Sequence, residues 1–191
     1  MRLTSDTYRQ YLPVSYTSSN VSPRYDIPKA APEPLRQVQL LVNSQDLEHE
    51  VDWLDDWLAE RQLGSQRARA AELRTALRSL ILANNGFALE ADAISVFNRA
   101  AARVPLQLAA DGVPAMAADG DALDRVVAIA LGAMLDGTWG RLKACRNCRW
   151  AFYDYSPPRK ATWCSMQLCG NRAKTRAYRS RRKLHDRHQD R

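Results

Sequence analysis

"CRNCRWAFYDYSPPRKATWCSMQLCGNR", residues 145–172, holds all four cysteines of the chain in the pattern C-x2-C-x15-C-x4-C. Two thiol pairs separated by about 15 residues, with no secretory signal, read as one tetrahedral metal site rather than a disulfide framework. The "CRNC" spacing is that of a zinc knuckle, a tight turn that brings two sulfurs to one ion. A thioredoxin-type redox centre needs two cysteines in a strand-to-helix setting, and neither condition is met. A catalytic zinc keeps one position open for water, whereas four thiolates close the sphere. The expected cofactor is therefore structural Zn2+ held by Cys145, Cys148, Cys164 and Cys169. His49, His185 and His188 are not required as ligands. No paired acid and base, glycine-rich phosphate loop or Ser/His/Asp set is visible, so the chain is not expected to be an enzyme.

Outward from the cysteines, "RWAFYDY" alternates as a strand, Pro157-Pro158 makes a turn, and "KATWC" is expected to return as the second strand of a hairpin. About 45 residues cannot bury enough apolar surface to offset their chain entropy, so the metal must contribute folding free energy. Lys143, Arg146 and Arg149 are expected to offset part of the charge of four thiolates. After Cys169 the chain becomes strongly basic. In a helix from about Gly170 to Leu184, Arg172, Arg176, Arg179 and Lys183 fall on one line, with Lys174, Arg181 and Arg182 beside it. Such a helix repels itself, and cysteines at its start supply an anchor and a direction.

The charge distribution agrees. The net charge is +7, but residues 1–140 carry 13 Lys/Arg against 18 Asp/Glu, and residues 141–191 carry 15 Lys/Arg against three Asp. A basic module joined to an acidic domain is the footprint of nucleic-acid binding. The longest apolar runs, such as "VVAIALGAML" (126–135), are half of the roughly 20 residues a membrane helix needs, so no membrane partner is expected. The N-terminus lacks the apolar h-region of a secretory signal, which makes the cytoplasm the expected location.

Toward the N-terminus the fold class is α+β and predominantly helical. Residues 1–33, with closely spaced prolines, read as an extended arm. A helical domain is expected over 34–140. Its helices begin at Leu35 and run over about Glu50–Gln62, Gln66–Asn84 and Leu89–Ala102. A hairpin follows in "VPLQLAADGVPAM", then a helix capped by Asp119 or Asp121 and striped by Leu123, Val126, Val127, Ala130 and Leu131. Trp53 and Trp57, i and i+4, are expected to be core residues rather than a ligand cage. Residues 141–184 form the zinc module and 185–191 a polar tail. If these are two modules, Cys164→Ala unfolds only the last 45 or so residues; if they share one core, the whole fold is lost.

The stretch from Leu142 to Arg182, above all "CGNR" at 169–172, resembles the CGNR zinc finger. The preceding "PLRQVQLLVNSQD", "WLDDWLAERQL", "LRTALRSLILANN" and "DALDRVVAIAL" resemble the ABATE-type domain that accompanies this finger in bacterial proteins regarded as stress-induced transcription regulators. Ser44 stands where that family commonly has Thr, and "PPRKAT" replaces a more arginine-rich hairpin tip. The resemblance implies a zinc-dependent module contacting duplex DNA through Asn171, Arg172, Lys174, Arg176, Arg179, Arg181, Arg182 and Lys183. It also implies an N-terminal domain that senses a small-molecule effector or mediates assembly, a homodimer included. Asn171 and Arg172 have a second reading, as braces of the metal site. Asn43, Arg74 and Arg78 are candidates for ligand or structural roles. An RNA-binding module and an adaptor for an acidic partner are the alternatives.

Overall fold

The computed structural model describes residues 29–189 except 118, with side chains through 182. Most of the expected arm, residues 1–28, and the end of the polar tail lie outside the described residues.

Helix α1 (Arg36–Asn43) buries Val38, Leu41 and Val42, the face set by its apolar spacing. Two short antiparallel strands follow, β1 (Gln45–Asp46) and β2 (Val51–Asp52), then α2 (Leu54–Ala59). The helix expected from Glu50 is therefore shorter. Glu50 adopts φ 56, a left-handed conformation that turns the hairpin and cannot continue a helix. Helix α3 (Arg67–Ala83) is the central element and α4 (Ala91–Ala101) packs beside it. Strands β3 (Leu106–Leu108) and β4 (Pro114–Met116) form the expected hairpin, with Leu106 opposite Met116.

Helix α5 (Ala122–Leu135) begins at a capping box. The Asp121 carboxylate accepts the N–H groups of Leu123 and Asp124, and Asp124 returns a bond to the Asp121 N–H. Asp121 Oδ2 also accepts from Arg69 Nη1 (2.6 Å) and Gln66 Nε2 (3.0 Å), fastening α5 to the start of α3. Asp121→Ala is expected to lower stability by about 1–2 kcal/mol in denaturant unfolding, through lost capping and the lost cross-helix bonds.

The last strands, β5 (Leu142–Ala144) and β6 (Ala151–Tyr153), pair antiparallel with Ala144 opposite Ala151. The knuckle is thus the turn of the hairpin. This corrects the expected pairing of "AFY" with "KATWC". Ala144 and Ala151 are wholly buried, and the demand of the core selects the strand that precedes the knuckle. The final helix, α6 (Asn171–Gln189), follows a wide π-type turn at Met166–Gly170.

Two apolar cores result. The larger joins α1–α5 and includes Leu142, Ala144, Ala151 and Tyr153 of the last hairpin. The smaller gathers the four cysteines with Trp53, Trp150 and Phe152. Trp57 lies in the first core and Trp53 in the second, so both tryptophans pack in the core as expected, each in a different cluster.

Candidate metal centre and basic helix

The four cysteines are buried, and their Sγ atoms all lie within 4.8 Å of one another. Cys148 and Cys164 Sγ are 3.5 Å apart, and Cys164 and Cys169 Sγ 3.7 Å. Sulfurs at about 2.3 Å from a tetrahedral ion are separated by about 3.8 Å, so the cluster fits one metal with four thiolate ligands. Without a cation the thiols compete for protons. Hydrogen bonds from Cys148 and Cys164 pull the Cys145 thiol far below its ordinary value. The bond to Cys145 pushes Cys148 up to about 12, and the same neighbours, with burial, push Cys164 up. A bound cation must displace those protons, which ties metal loading to pH.

The knuckle turns through Arg149 at φ 64, with its N–H donated to Cys145 O (2.9 Å) and the Cys145 N–H donated to Trp150 O (2.9 Å). Asn147, inside "CRNC", donates Nδ2–H toward Cys169 Sγ at 3.6 Å. This contact to a ligand sulfur was not foreseen in the sequence; the only signal is an amide placed between the two knuckle cysteines. Gly170 sits where a Cβ would be 2.8 Å from the Met166 thioether and 3.4 Å from the Trp163 ring.

The three cations expected to offset the thiolates make their direct contacts with other groups. Lys143 Nζ bonds Asp154 Oδ2 at 2.8 Å, Arg146 Nε bonds Asn85 O at 2.7 Å, and the Arg149 guanidinium lies 4.4 Å from the centre of the Phe87 ring.

Amide side chains join the finger to the helices. Asn43 accepts the Ala151 N–H (2.8 Å) and donates to Ala151 O (3.0 Å), closing a two-way bond to β6. Asn84 donates to the carbonyls of Trp139 and Leu142, and buried Asn85 to those of Ala144 and Thr162. Gly86 follows at φ 84 with the Arg146 guanidinium against it, so a side chain there meets both backbone strain and that arginine. Lys29 contributes too: its carbonyl accepts the Tyr153 N–H and its ammonium donates to Trp163 O.

Arg74 is buried, forks onto both carboxylate oxygens of Asp52 (2.6 and 2.8 Å) and reaches Ser44 Oγ. The Arg74 bond outweighs burial and holds Asp52 below the usual carboxylate range. Arg78 donates to Val42 O (2.5 Å) and to Gln45 Oε1 and O; burial lowers its pKa to about 10. Both arginines, like Asn43, spend these donors on the protein itself.

On the basic helix, Asn171 donates to Gln167 O (3.1 Å), bracing the turn before α6 rather than a cysteine sulfur. Arg172 pairs with Glu48 of the β1–β2 turn, and Arg176 with Asn147 Oδ1. From Lys174 to Arg182 every residue is exposed, including Arg179, Arg181 and Arg182. The side chain of Lys183 lies outside the described residues.

Residues 37–140 match the family described as "ABATE: Putative stress-induced transcription regulator". The chain belongs to the ABATE family. Residues 141–182 match the CGNR zinc finger, so the ABATE region is followed by this finger in N-to-C order. Neither match is to an enzyme family. No curated protein matches the ABATE chain. No helix among its described residues is long and apolar enough to cross a membrane.

A cleft of about 120 Å³ opens between α3 and α4 of the ABATE region, lined by Arg69, Arg99, Arg103 and Glu72 among others. Its arginines are paired: Arg69 with Asp121 and Asp124, Arg99 with Glu72, and Arg103 with Asp124.

Proposed function

We propose that the chain is a bacterial, cytoplasmic transcription regulator that binds duplex DNA through α6, with Zn2+ held by Cys145, Cys148, Cys164 and Cys169. One observation carries the reading: a buried four-thiol cluster stands at the foot of a helix exposed on all sides over residues 174–182. Bound zinc ties four thiolates together and thereby contributes folding free energy. The chain's own residues do the rest. Cys169 fixes where the helix starts, and the arginines and lysines meet phosphates through a sequence-independent attraction. The ABATE region senses a stress-linked ligand or mediates assembly, as a homodimer or otherwise.

Fluorescence anisotropy with labelled duplex DNA tests this. If six or more phosphates are contacted, affinity is expected to fall by about 10³-fold or more between 50 and 200 mM salt. Chelation should abolish binding. Salt-insensitive or chelator-resistant binding overturns the proposal. Tighter binding to single-stranded RNA identifies an RNA module, since the deep, narrow major groove of A-form duplex RNA excludes a helix. Binding to no nucleic acid at all leaves an adaptor for an acidic protein.

A further inference from the structure

We infer that Arg172 and Arg176 are the base-reading residues of α6 and that Glu48 and Asn147 are their positioning residues, an inference that rests on the DNA-binding reading above. Arg172 and Arg176 are i and i+4, on one face of the helix. Each is gripped from outside the helix, Arg172 through Nη1 by Glu48 Oε1 and Arg176 through Nη2 by Asn147 Oδ1. Lys174, Arg179, Arg181 and Arg182 make no hydrogen bond or ion pair among the described residues.

Both acceptors lie on segments held by further hydrogen bonds. Glu48 sits on a turn organised by wholly buried Asp46, whose Oδ1 accepts the N–H groups of Glu48 (2.9 Å) and His49 (3.2 Å). Asp46 Oδ2 faces His49 Nδ1 at 2.9 Å. The two ends of the hairpin are fastened to α3, Gln45 by Arg78 and Asp52 by the Arg74 fork. Asn147 is enclosed between two knuckle cysteines, with its amide on Cys169 Sγ. The helix itself starts two residues after buried Cys169. With the acceptor of each pair held in place, one nitrogen of each guanidinium is drawn to a defined point and the range of its rotamers is narrowed.

That arrangement suits a base edge and not a phosphate. A phosphate contact needs only a nearby positive charge and tolerates many approaches. A bidentate contact to guanine O6 and N7 needs the fork in one orientation, and a partner that removes the other rotamers lowers the entropy cost of reading. A carboxylate such as Glu48 beside a phosphate-binding arginine would repel the ligand. Beside a base-reading arginine it orients the fork. The Arg172 side chain is 53% exposed, which leaves the rest of the guanidinium open to a groove.

The test uses the full-length, metal-loaded chain. A duplex selected from a random library is compared with its scrambled sequence at fixed salt. Loss of one oriented fork is expected to reduce discrimination about tenfold or more in Glu48→Ala, which removes the acceptor, with scrambled-duplex affinity equal to or tighter than wild type. Arg172→Lys keeps the charge, stays on an exposed helix face and should lose discrimination equally. Arg179→Ala should weaken both duplexes alike and reduce the salt slope by about 1 while preserving their ratio. Unchanged discrimination in Glu48→Ala or Arg172→Lys overturns the inference. So does equal tightening of both duplexes in Glu48→Ala, which would make Glu48 a competitor of phosphate. A wild-type chain that binds no duplex overturns the DNA-binding reading instead, and this inference with it.

Discussion

Cys164→Ala is expected to lower the melting temperature of the whole chain, not merely to release its last 45 or so residues. Cys164 Sγ lies 3.5 Å from Cys148 Sγ and 3.7 Å from Cys169 Sγ, so its loss leaves three thiols around an incomplete site. Structural zinc contributes apparent free energies of about 10–16 kcal/mol in isolated finger peptides, as large as the about 5–15 kcal/mol that holds an ordinary domain together. The consequence spreads because the finger hairpin is built into the larger core, where Leu142, Ala144 and Ala151 are wholly buried. Opening the knuckle removes the turn that pairs β5 with β6 and strips the Asn43, Asn84 and Asn85 amides of their carbonyl partners. Far-UV circular dichroism and tryptophan fluorescence should report one coincident transition, at lower temperature than wild type, with metal content well below one ion per chain. Chelation of the wild-type chain should do the same. A helical transition at the wild-type temperature, after the fluorescence of Trp53, Trp150 and Trp163 has already changed, would show two independently stable modules.

The parts of this fold legible in the sequence are those with local causes. Four ligands within 25 residues and a basic run beginning at Arg172 announce themselves by spacing alone. Helices α1, α3, α4 and α5 follow from apolar periodicity to within a residue or two. The β1–β2 hairpin did not, because Val51, Leu54, Trp57 and Leu58 fit helical spacing as well as they fit the real break. What decides there is tertiary. Arg74 grips Asp52, and Trp53 is drawn to the cysteines while Trp57 turns to the helices. The partner of β6 was hidden for a similar reason, since two candidate strands flank the knuckle and only packing chooses between them. The cross-links by Asn43, Asn84, Asn85 and Asn147 carry no periodic signal. An amide that satisfies a distant carbonyl reads in sequence like any polar residue.

Asp154→Ala is expected to destabilise the chain by about 3–5 kcal/mol, the usual consequence of leaving a buried charge without its partner. Asp154 is wholly buried and accepts from Lys143 Nζ (2.8 Å), Ser156 Oγ (2.6 Å), Ser156 N (2.9 Å) and Ala161 N (2.9 Å). Lys143 is itself buried and spends its other donors on Arg159 O and Ala161 O. Removing the carboxylate strands the ammonium and frees the 155–161 turn at once. Replacing both residues together by apolar ones, Lys143→Met with Asp154→Leu, should cost less than Asp154→Ala alone, because no charge is then left unpaired. The same cage sets an acid response. Burial pushes the Asp154 carboxyl up, but the Lys143 ammonium, the Ser156 hydroxyl and N–H and the Ala161 N–H outweigh it and hold the pKa at about 2. An unfolded Asp titrates near 4, so this contribution is fully present above about pH 4 and is lost as pH falls through about 2. Urea unfolding across that window should show a shallower acid loss in the double variant than in wild type. The turn leads directly to Thr162, whose carbonyl accepts from Asn85 and from the Arg146 N–H, and then to Cys164. Metal content should therefore fall in Asp154→Ala although no ligand has been changed. Full loading with reduced stability would confine the cage to the hairpin and separate it from the cysteine site.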